Sequence, residues 1–230
     1  MKPIKSSFAI TACSVFAFTS LTGMVIAADE PVRANFSGTA PNPHPVTVGL
    51  EAGTTGFGAS ASWRFANHFG VRGGFDYFSI SHVGAIKGIN YDGHLRLMSE
   101  PVTLDYYPWM NHSFHASLGI VFNQNQLKGN AAGDLTVNGV LYPAATASLN
   151  VKQQLVDPYL SVGGNIYFDT AHHWSLNGEL GVFYAGDPKI SFSSTAASAA
   201  DVAGETALIR SYAKDAKFWP VLKIGVTYSF

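Results

Sequence analysis

The chain has 230 residues, and 13% of them are charged, against about 25% in soluble globular proteins. The formal net charge is −1, so there is no basic excess of the kind that favours nucleic-acid binding. Beyond residue 27 no segment approaches the run of about 18 uncharged apolar residues that a transmembrane helix needs, so we expect no such helix there.

The first 27 residues have the pattern of a secretory signal peptide, with two early lysines followed by an apolar run from Phe8 to Ala27. We predict cleavage after Ala27, with Ala28 as the alternative. A lipoprotein-type cleavage before Cys13 is less favoured, because too few apolar residues precede it. Cleavage after Ala27 leaves about 203 residues with no cysteine, 12 basic residues and 15 acidic residues, a formal charge of −3.

Residues 28–45 contain several prolines and are predicted to be an extended periplasmic segment that precedes a single folded domain at 46–230. From Val46 onward apolar side chains alternate with polar or small ones, which is typical of strands that turn one face to lipid. The alternating runs lie at 46–52, 57–65, 69–77, 89–109, 114–122, 156–168, 174–192 and 218–230. They predict an all-β fold, an eight-stranded antiparallel up-and-down transmembrane β-barrel.

Two details of this pattern concern individual strands. Residues 53–56 form either a hairpin or a kink between the first two runs, and the even strand number of bacterial barrels favours the hairpin. Within 89–109 the outward-facing apolar positions change parity, from Ile89–Leu97 at odd numbers to Val102–Tyr106 at even numbers. This change predicts a β-bulge near Ser99–Pro101, where one unpaired residue would reverse the faces.

The connections between the runs are of two kinds. Three are short (66–68, 110–113 and 169–173) and three are longer (81–88, 127–150 and 193–216), as in the periplasmic turns and extracellular loops of outer-membrane barrels. Within the second long connection, Asn138-Gly139 predicts a type I′ hairpin turn. Residues 200–213 are either a short helix or a disordered Ala/Ser loop.

Aromatic residues separate a membrane barrel from a soluble eight-stranded barrel. They crowd beside the short connections and the C-terminus, and comprise Trp63, Phe65, Phe69, Tyr106, Trp109, Phe114, Phe168, Trp174, Tyr228 and Phe230. A membrane barrel needs such a girdle at its interface with the headgroups, whereas a soluble barrel does not. The clustering therefore favours the membrane barrel.

The last eight residues, Lys223–Phe230, form a polar–x–Gly–x–x–aromatic–x–aromatic pattern that resembles the C-terminal assembly signal of outer-membrane barrels. The positions that carry the resemblance are Lys223, Gly225, Tyr228 and Phe230. The resemblance implies recognition by the barrel-assembly machinery and by periplasmic chaperones.

Four segments, 51–58, 157–160, 178–188 and 218–225, resemble the CarO-type family of small outer-membrane barrels in the same order along the chain. The similarity covers most of residues 46–230, but the long connections do not match well. The resemblance implies an eight-stranded barrel and a role in the entry of small solutes such as basic amino acids.

Charged and polar residues on the inward face are the candidate functional positions. They are the acids Glu51, Asp76, Asp105, Asp157 and Glu179, the bases Arg64, Arg72 and Lys223, and His115. Because the side chains of an eight-stranded barrel fill its interior, these groups are expected to pair with one another as a polar plug. The alternative is a narrow, cation-preferring route that uses the acidic excess.

Other chemistry is less favoured by the sequence. His115-Ala-Ser117 resembles the His-x-Ser arrangement of a lipid A deacylase, but both side chains are predicted to face the lumen beside a short turn. His68, His112 and His172-His173 are expected to be turn histidines, because adjacent histidines on a strand point to opposite faces. No catalytic, cofactor-binding or metal site is predicted.

The predicted protein is therefore a barrel in the outer membrane of a Gram-negative bacterium, with both termini in the periplasm. Its function is expected to be membrane-structural or weak permeation of small solutes, including cationic amino acids. A surface-loop adhesion or interaction protein is the alternative, and an outer-membrane lipid-modifying enzyme is the least favoured reading. Outer-membrane lipids, including lipopolysaccharide, are its expected partners.

Overall fold

The computed structural model describes residues 44–86, 89–110, 112–213 and 217–230. The predicted signal peptide at 1–27, and the predicted extension up to residue 43, lie outside these residues. The described elements are β1 (Val46–Gly53), β2 (Gly56–Trp63), β3 (Phe69–Ile86), β4 (Ile89–Tyr106), β5 (His115–Asn123), β6 (Gln126–Val137), β7 (Val140–Lys152), β8 (Val156–Tyr167), β9 (Trp174–Tyr184), β10 (Lys189–Ser194), α1 (Ala199–Ala213) and β11 (Phe218–Ser229).

Eight of these strands close into a barrel. They follow one another in the order β4-β3-β2-β1-β11-β9-β8-β5, and the pairing of β4 with β5 closes the circle. Every neighbouring pair is antiparallel. The predicted eight-stranded antiparallel barrel is confirmed.

A hairpin joins the first two strands. Gly53 pairs directly with Gly56, whose φ of 118° lies in a region that side chains disfavour. The Thr55 hydroxyl donates a hydrogen bond of 3.0 Å to Asp76, which fixes the hairpin to β3. The kink is therefore excluded at this position.

The predicted β-bulge at Ser99–Pro101 is wrong. The pairing of β3 with β4 keeps one register from Phe69 opposite Tyr106 to Ile86 opposite Ile89. Odd-numbered residues of β4 thus face the barrel axis along the whole strand. The apolar residues near its start lie on this face because an apolar core, not lipid, covers it above the barrel.

That core belongs to a second sheet, which extends from the end of the barrel that lies opposite the three short connections. Residues 90–96 of β4 pair with β6, which pairs with β7, which in turn pairs with β10. We call the loop-end sheet the sheet formed by residues 90–96 of β4, the residues of β3 that pair with them, and β6, β7 and β10. The end of the barrel that carries it is the loop end, and the opposite end is the short-turn end.

One turn of the loop-end sheet matches its prediction and one strand does not. Asn138 and Gly139 have φ angles of 50° and 83° between the paired residues Val137 and Val140, which confirms the hairpin turn. Residues 174–192, in contrast, are not one strand. The chain leaves β9 at Tyr184 and turns through Gly186, with a φ of 62°, so that β10 pairs with β7.

Residues 200–213 are helical rather than a disordered loop, because they lie in α1. This helix packs on the axis-facing side of the loop-end sheet. Together the sheet and helix bury an apolar cluster of Ala131, Leu135, Val137, Ala145, Ala147, Leu149, Ile190, Phe192 and Ile209. Ile89 and Tyr91 of β4 pack against this cluster. Among the described helical residues, no helix is long and apolar enough to cross a membrane.

The outer surface of the barrel is apolar. Its exposed side chains include Val48, Leu50, Val71, Val102, Leu104, Leu118, Leu160, Leu180, Leu222 and Ile224. The aromatic girdle lies at the short-turn end, where Trp174 contacts Tyr228 at 5.0 Å and Tyr228 contacts Phe230 at 4.9 Å between ring centroids. An apolar outer surface bounded by aromatic rings is the surface that a membrane barrel turns to lipid. We call this surface the lipid-exposed belt.

Candidate functional site in the barrel lumen

Most of the predicted polar residues lie at inward strand positions, where their side chains line the lumen along its length. Eight of the nine predicted side chains are buried or nearly so: Glu51, Arg72, Asp76, Asp105, His115, Asp157, Glu179 and Lys223. Arg64 lies near the short-turn end, where its guanidinium carbon is 4.1 Å from the ring centroid of Tyr107. Six of the nine residues form two ion clusters, and Asp157 is a carboxylate without a basic partner among the described residues. His115 and Arg64 make other contacts.

The first cluster is centred on Lys223 of β11. Its ammonium nitrogen donates to Glu51 Oε1 and to Asp76 Oδ2, each at 2.7 Å. Glu51 is on the adjacent strand β1, whereas Asp76 is on β3, which two strands separate from β11. The contact with Asp76 therefore crosses the lumen. Thr55 and Ser99 donate to the same carboxylate oxygen of Asp76 at 3.0 and 3.4 Å.

The second cluster is centred on Arg72 of β3. Its guanidinium binds Asp105 at 3.3 Å, donates to Glu179 of β9, and donates to the Ser117 hydroxyl at 3.1 Å. Because three strands separate β3 from β9, the contact with Glu179 also spans the lumen. The Tyr159 hydroxyl donates to the second oxygen of Glu179, so both oxygens of this carboxylate are occupied.

Little space remains around these clusters. A cavity of about 10 Å³ lies between them, with lining residues that include Glu51, Arg72 and Lys223. A second cavity of about 50 Å³ lies toward the short-turn end and is lined in part by Arg64 and Asp105. Spaces of this size suit a few ordered water molecules. The lumen is filled by its own side chains, as expected for eight strands.

Asp157 differs from the other four acids because no basic side chain pairs with it among the described residues. Its side chain is fully buried, and one oxygen accepts a hydrogen bond of 2.8 Å from the Asn123 amide. Its other oxygen has no hydrogen-bond partner among the described residues. The lumen therefore keeps one buried carboxylate without a basic partner in the part of the chain that the structure describes.

Sequence reasoning missed buried polar residues that include Thr55, Ser99, Thr103 and Asn123. Ser99 and Thr103 share the inward face of β4 with Asp105. The wrong bulge at Ser99–Pro101 concealed the parity of Ser99, whereas Thr103 lies beyond the bulge and already had the parity of Asp105. Thr103 donates to Asp105 at 2.9 Å. A single uninterrupted register for β4 would have identified Ser99 from the sequence.

The residues considered for catalysis or metal binding make other contacts. Ser117 accepts a hydrogen bond from Arg72, while His115 Nδ1 lies 3.0 Å from the Ser113 carbonyl oxygen. His173 Nδ1 lies 2.8 Å from the carbonyl oxygen of Ser229. Within the described ranges no three His, Cys, Asp or Glu side chains are grouped as metal ligands.

Comparison with solved structures identifies two barrels from Acinetobacter baumannii that share this fold. CarO2 has a TM-score of 0.59 and 22% identity, over 81% of this chain and 99% of that chain. CarO has a TM-score of 0.55 and 24% identity, over 81% of this chain and 98% of that chain. A major outer membrane protein from Thermus thermophilus has a TM-score of 0.43 and 18% identity, over 81% of this chain and all of that chain.

The resemblance to CarO that the sequence motifs indicated is thus confirmed at the level of the fold. No protein-family model matches the sequence, and comparison with curated proteins gave no match.

Proposed function

We propose that this chain is an outer-membrane β-barrel of a Gram-negative envelope whose closed lumen gives it a membrane-structural function. In this proposal the barrel anchors the loop-end sheet and its helix at the cell surface. The observation that supports it most strongly is the pair of ion clusters, because the Lys223–Asp76 and Arg72–Glu179 contacts both cross the lumen. A solute could pass only if these contacts separated.

Separation of the clusters would be energetically unfavourable. Removing one partner of a buried ion pair leaves a buried charge without a partner and costs about 3–5 kcal/mol. Separating the partners would leave both charges in this state. Each cation is held by two carboxylates, so both would have to be released before the lumen widened. The filled lumen therefore supports a closed barrel more strongly than a selective channel.

The orientation follows from the lengths of the connections. In bacterial outer-membrane barrels short turns face the periplasm and longer segments face outward. The start of β1 and the end of β11 pair at the short-turn end, where Thr47 lies opposite Ser229. This orientation puts both ends of the barrel domain in the periplasm and the loop-end sheet outside the cell.

Cysteine labelling on intact cells tests this orientation. The only cysteine in the sequence lies in the predicted signal peptide, so single cysteines can be introduced without a background. Ser211→Cys on α1 should react with a membrane-impermeant maleimide on intact cells, whereas Asn67→Cys in a short turn should react only after lysis. Labelling of Asn67→Cys on intact cells would contradict the proposed arrangement.

A narrow cation route is the second candidate function, and one observation favours it. Asp157 is a buried carboxylate with an unoccupied oxygen, so the lumen retains acidic capacity beyond its two cations. Under this alternative, lysine should enter proteoliposomes that contain the refolded barrel. Asp105→Asn or Glu179→Gln should then change the rate of entry.

A further inference from the structure

The face of the loop-end sheet that points away from its apolar core carries a row of basic residues. Cross-strand pairing places Arg96, Gln126, Lys152 and Lys189 side by side on β4, β6, β7 and β10. Lys128, paired with His94, lies two residues along β6 on the same face. We call Arg96, Lys128, Lys152 and Lys189 the basic row. The three lysines are exposed and Arg96 is half-buried.

This face is the continuation of the lipid-facing surface of the barrel. Arg96 has the same parity as Val102 and Leu104, which are exposed on the outside of β4, and the register is unbroken between them. On β7 and β10, Val151 and Ile190 point into the apolar core, so their neighbours Lys152 and Lys189 point outward. The basic row therefore stands above the lipid-exposed belt.

Its height above the belt matches the headgroup layer. Aromatic side chains mark the loop-end boundary of the belt: Phe57 lies opposite Tyr77, and Tyr184 lies opposite Phe218. Tyr77 pairs with Met98, and Arg96 lies two residues further along β4, about 7 Å at the rise of a strand. Aromatic girdles sit at the headgroup level, so charged groups just beyond them meet lipid phosphates.

The charges of the basic row lack counter-ions in the part of the chain that the structure describes. No salt bridge involves Arg96, Lys128, Lys152 or Lys189 there; on this surface Asp187 is paired with Lys217. The acids nearest to Arg96 on its own face of β4 are Glu100 and Asp92, each four residues away, about 13 Å. Lys152 lies directly opposite Lys189, and facing like charges destabilise a strand pair.

We infer that the basic row is a binding site for the phosphate groups of an outer-leaflet glycolipid, a phosphorylated lipid of the lipid A type. The bound phosphates relieve the repulsion between Lys152 and Lys189, and Arg96 presents the planar guanidinium that suits phosphate oxygens. This inference rests on the proposed orientation, since only the extracellular leaflet contacts the loop end. It adds a specific lipid site to a barrel whose lumen is closed.

Binding of lipid A by the folded barrel in detergent tests the inference. Diphosphoryl lipid A, a chemically dephosphorylated form and inorganic phosphate serve as three separate probes. The Lys152→Gln/Lys189→Gln double variant should bind diphosphoryl lipid A about 25-fold more weakly, which is roughly fivefold for each charge. Arg210→Gln is the control, because it removes an exposed positive charge on α1, away from the row.

We expect the dephosphorylated lipid to bind the parent no better than it binds the double variant. Unchanged affinity of the double variant for diphosphoryl lipid A, or an equal loss in Arg210→Gln, would overturn the site. Competition by inorganic phosphate at concentrations comparable to the lipid would overturn its assignment to lipid. Heat-dependent migration in gel electrophoresis verifies folding, and the labelling of Ser211→Cys and Asn67→Cys separately tests the orientation on which the inference rests.

Discussion

Lys223 and Asp76 lie on strands that do not pair with each other, yet the Lys223 ammonium nitrogen is 2.7 Å from Asp76 Oδ2. The contact joins β11 to β3 across the lumen, and both side chains are almost completely buried. An eight-stranded barrel is narrow enough for such contacts, and they make its interior a continuous polar core. Stability and closure of the barrel therefore depend on the same residues.

Lys223→Met is expected to lower the free energy of unfolding by about 3–5 kcal/mol, because it leaves Glu51 and Asp76 as buried charges without their cation. Urea-induced unfolding of the barrel refolded in lipid vesicles measures the change. The triple variant Lys223→Met/Glu51→Gln/Asp76→Asn should recover part of the loss, since no uncompensated charge remains. Lys217→Met is the matched control, because its ion pair with Asp187 is solvent-exposed and should contribute little. Equal effects in Lys223→Met and Lys217→Met would contradict this prediction.

Docking of α1 is expected to weaken in acid. Hydrogen bonds from Ser198, Tyr142 and Asn138 hold the pKa of Asp201 below its usual value. A carboxylate with a depressed pKa stabilises the fold fully above its unfolded pKa of about 3.9, and this contribution is lost as the pH falls through the folded pKa.

A spin label on Ser211→Cys should therefore become more mobile as the pH falls below about 4. In an Asp201→Asn background the mobility should depend much less on pH, because the titrating group is absent. A parent protein whose label mobility is the same at pH 7 and pH 3 would refute a stabilising role for Asp201.

Phe230→Ser is expected to reduce the amount of folded barrel in the outer membrane of cells while leaving refolding in vitro intact. Phe230 is largely exposed, and among the described residues its ring forms one ring pair, a T-shaped contact with Tyr228, so its side chain adds little to the packed structure. Phe168→Ser removes an equally exposed aromatic at the short-turn end and serves as the control. Similar losses in both variants would contradict a specific assembly signal that includes Lys223, Gly225, Tyr228 and Phe230.

Local patterns predicted much of the barrel and of its lumen. Alternation identified the strands, and inward parity identified the two cations together with the acids that they bind, such as Glu51 and Asp105. The Asn138-Gly139 turn was predicted because its two positive φ angles favour those residue types. Each of these features depends on neighbours in sequence or on one strand period.

The loop-end sheet could not be predicted in the same way. Ile89, Tyr91 and the neighbouring apolar residues of β4 looked lipid-facing, because the sequence does not show that a helix more than 100 residues later covers them. Ile190 and Phe192 were assigned to β9 for the same reason. An apolar face packed against a distant element and an apolar face in lipid have the same alternation, so pattern alone does not distinguish them.

Solute flux into proteoliposomes that contain the refolded mature chain tests the central claim, a lumen closed by its two ion clusters, most directly. Lysine, a neutral amino acid and a small sugar are compared with empty liposomes, with folding verified in the same preparation. The closed barrel predicts no flux above empty liposomes for any of the three solutes, in the parent as well as in Asp105→Asn and Glu179→Gln. Lysine entry above the background that changes in either variant would contradict closure and establish a cation route through the lumen.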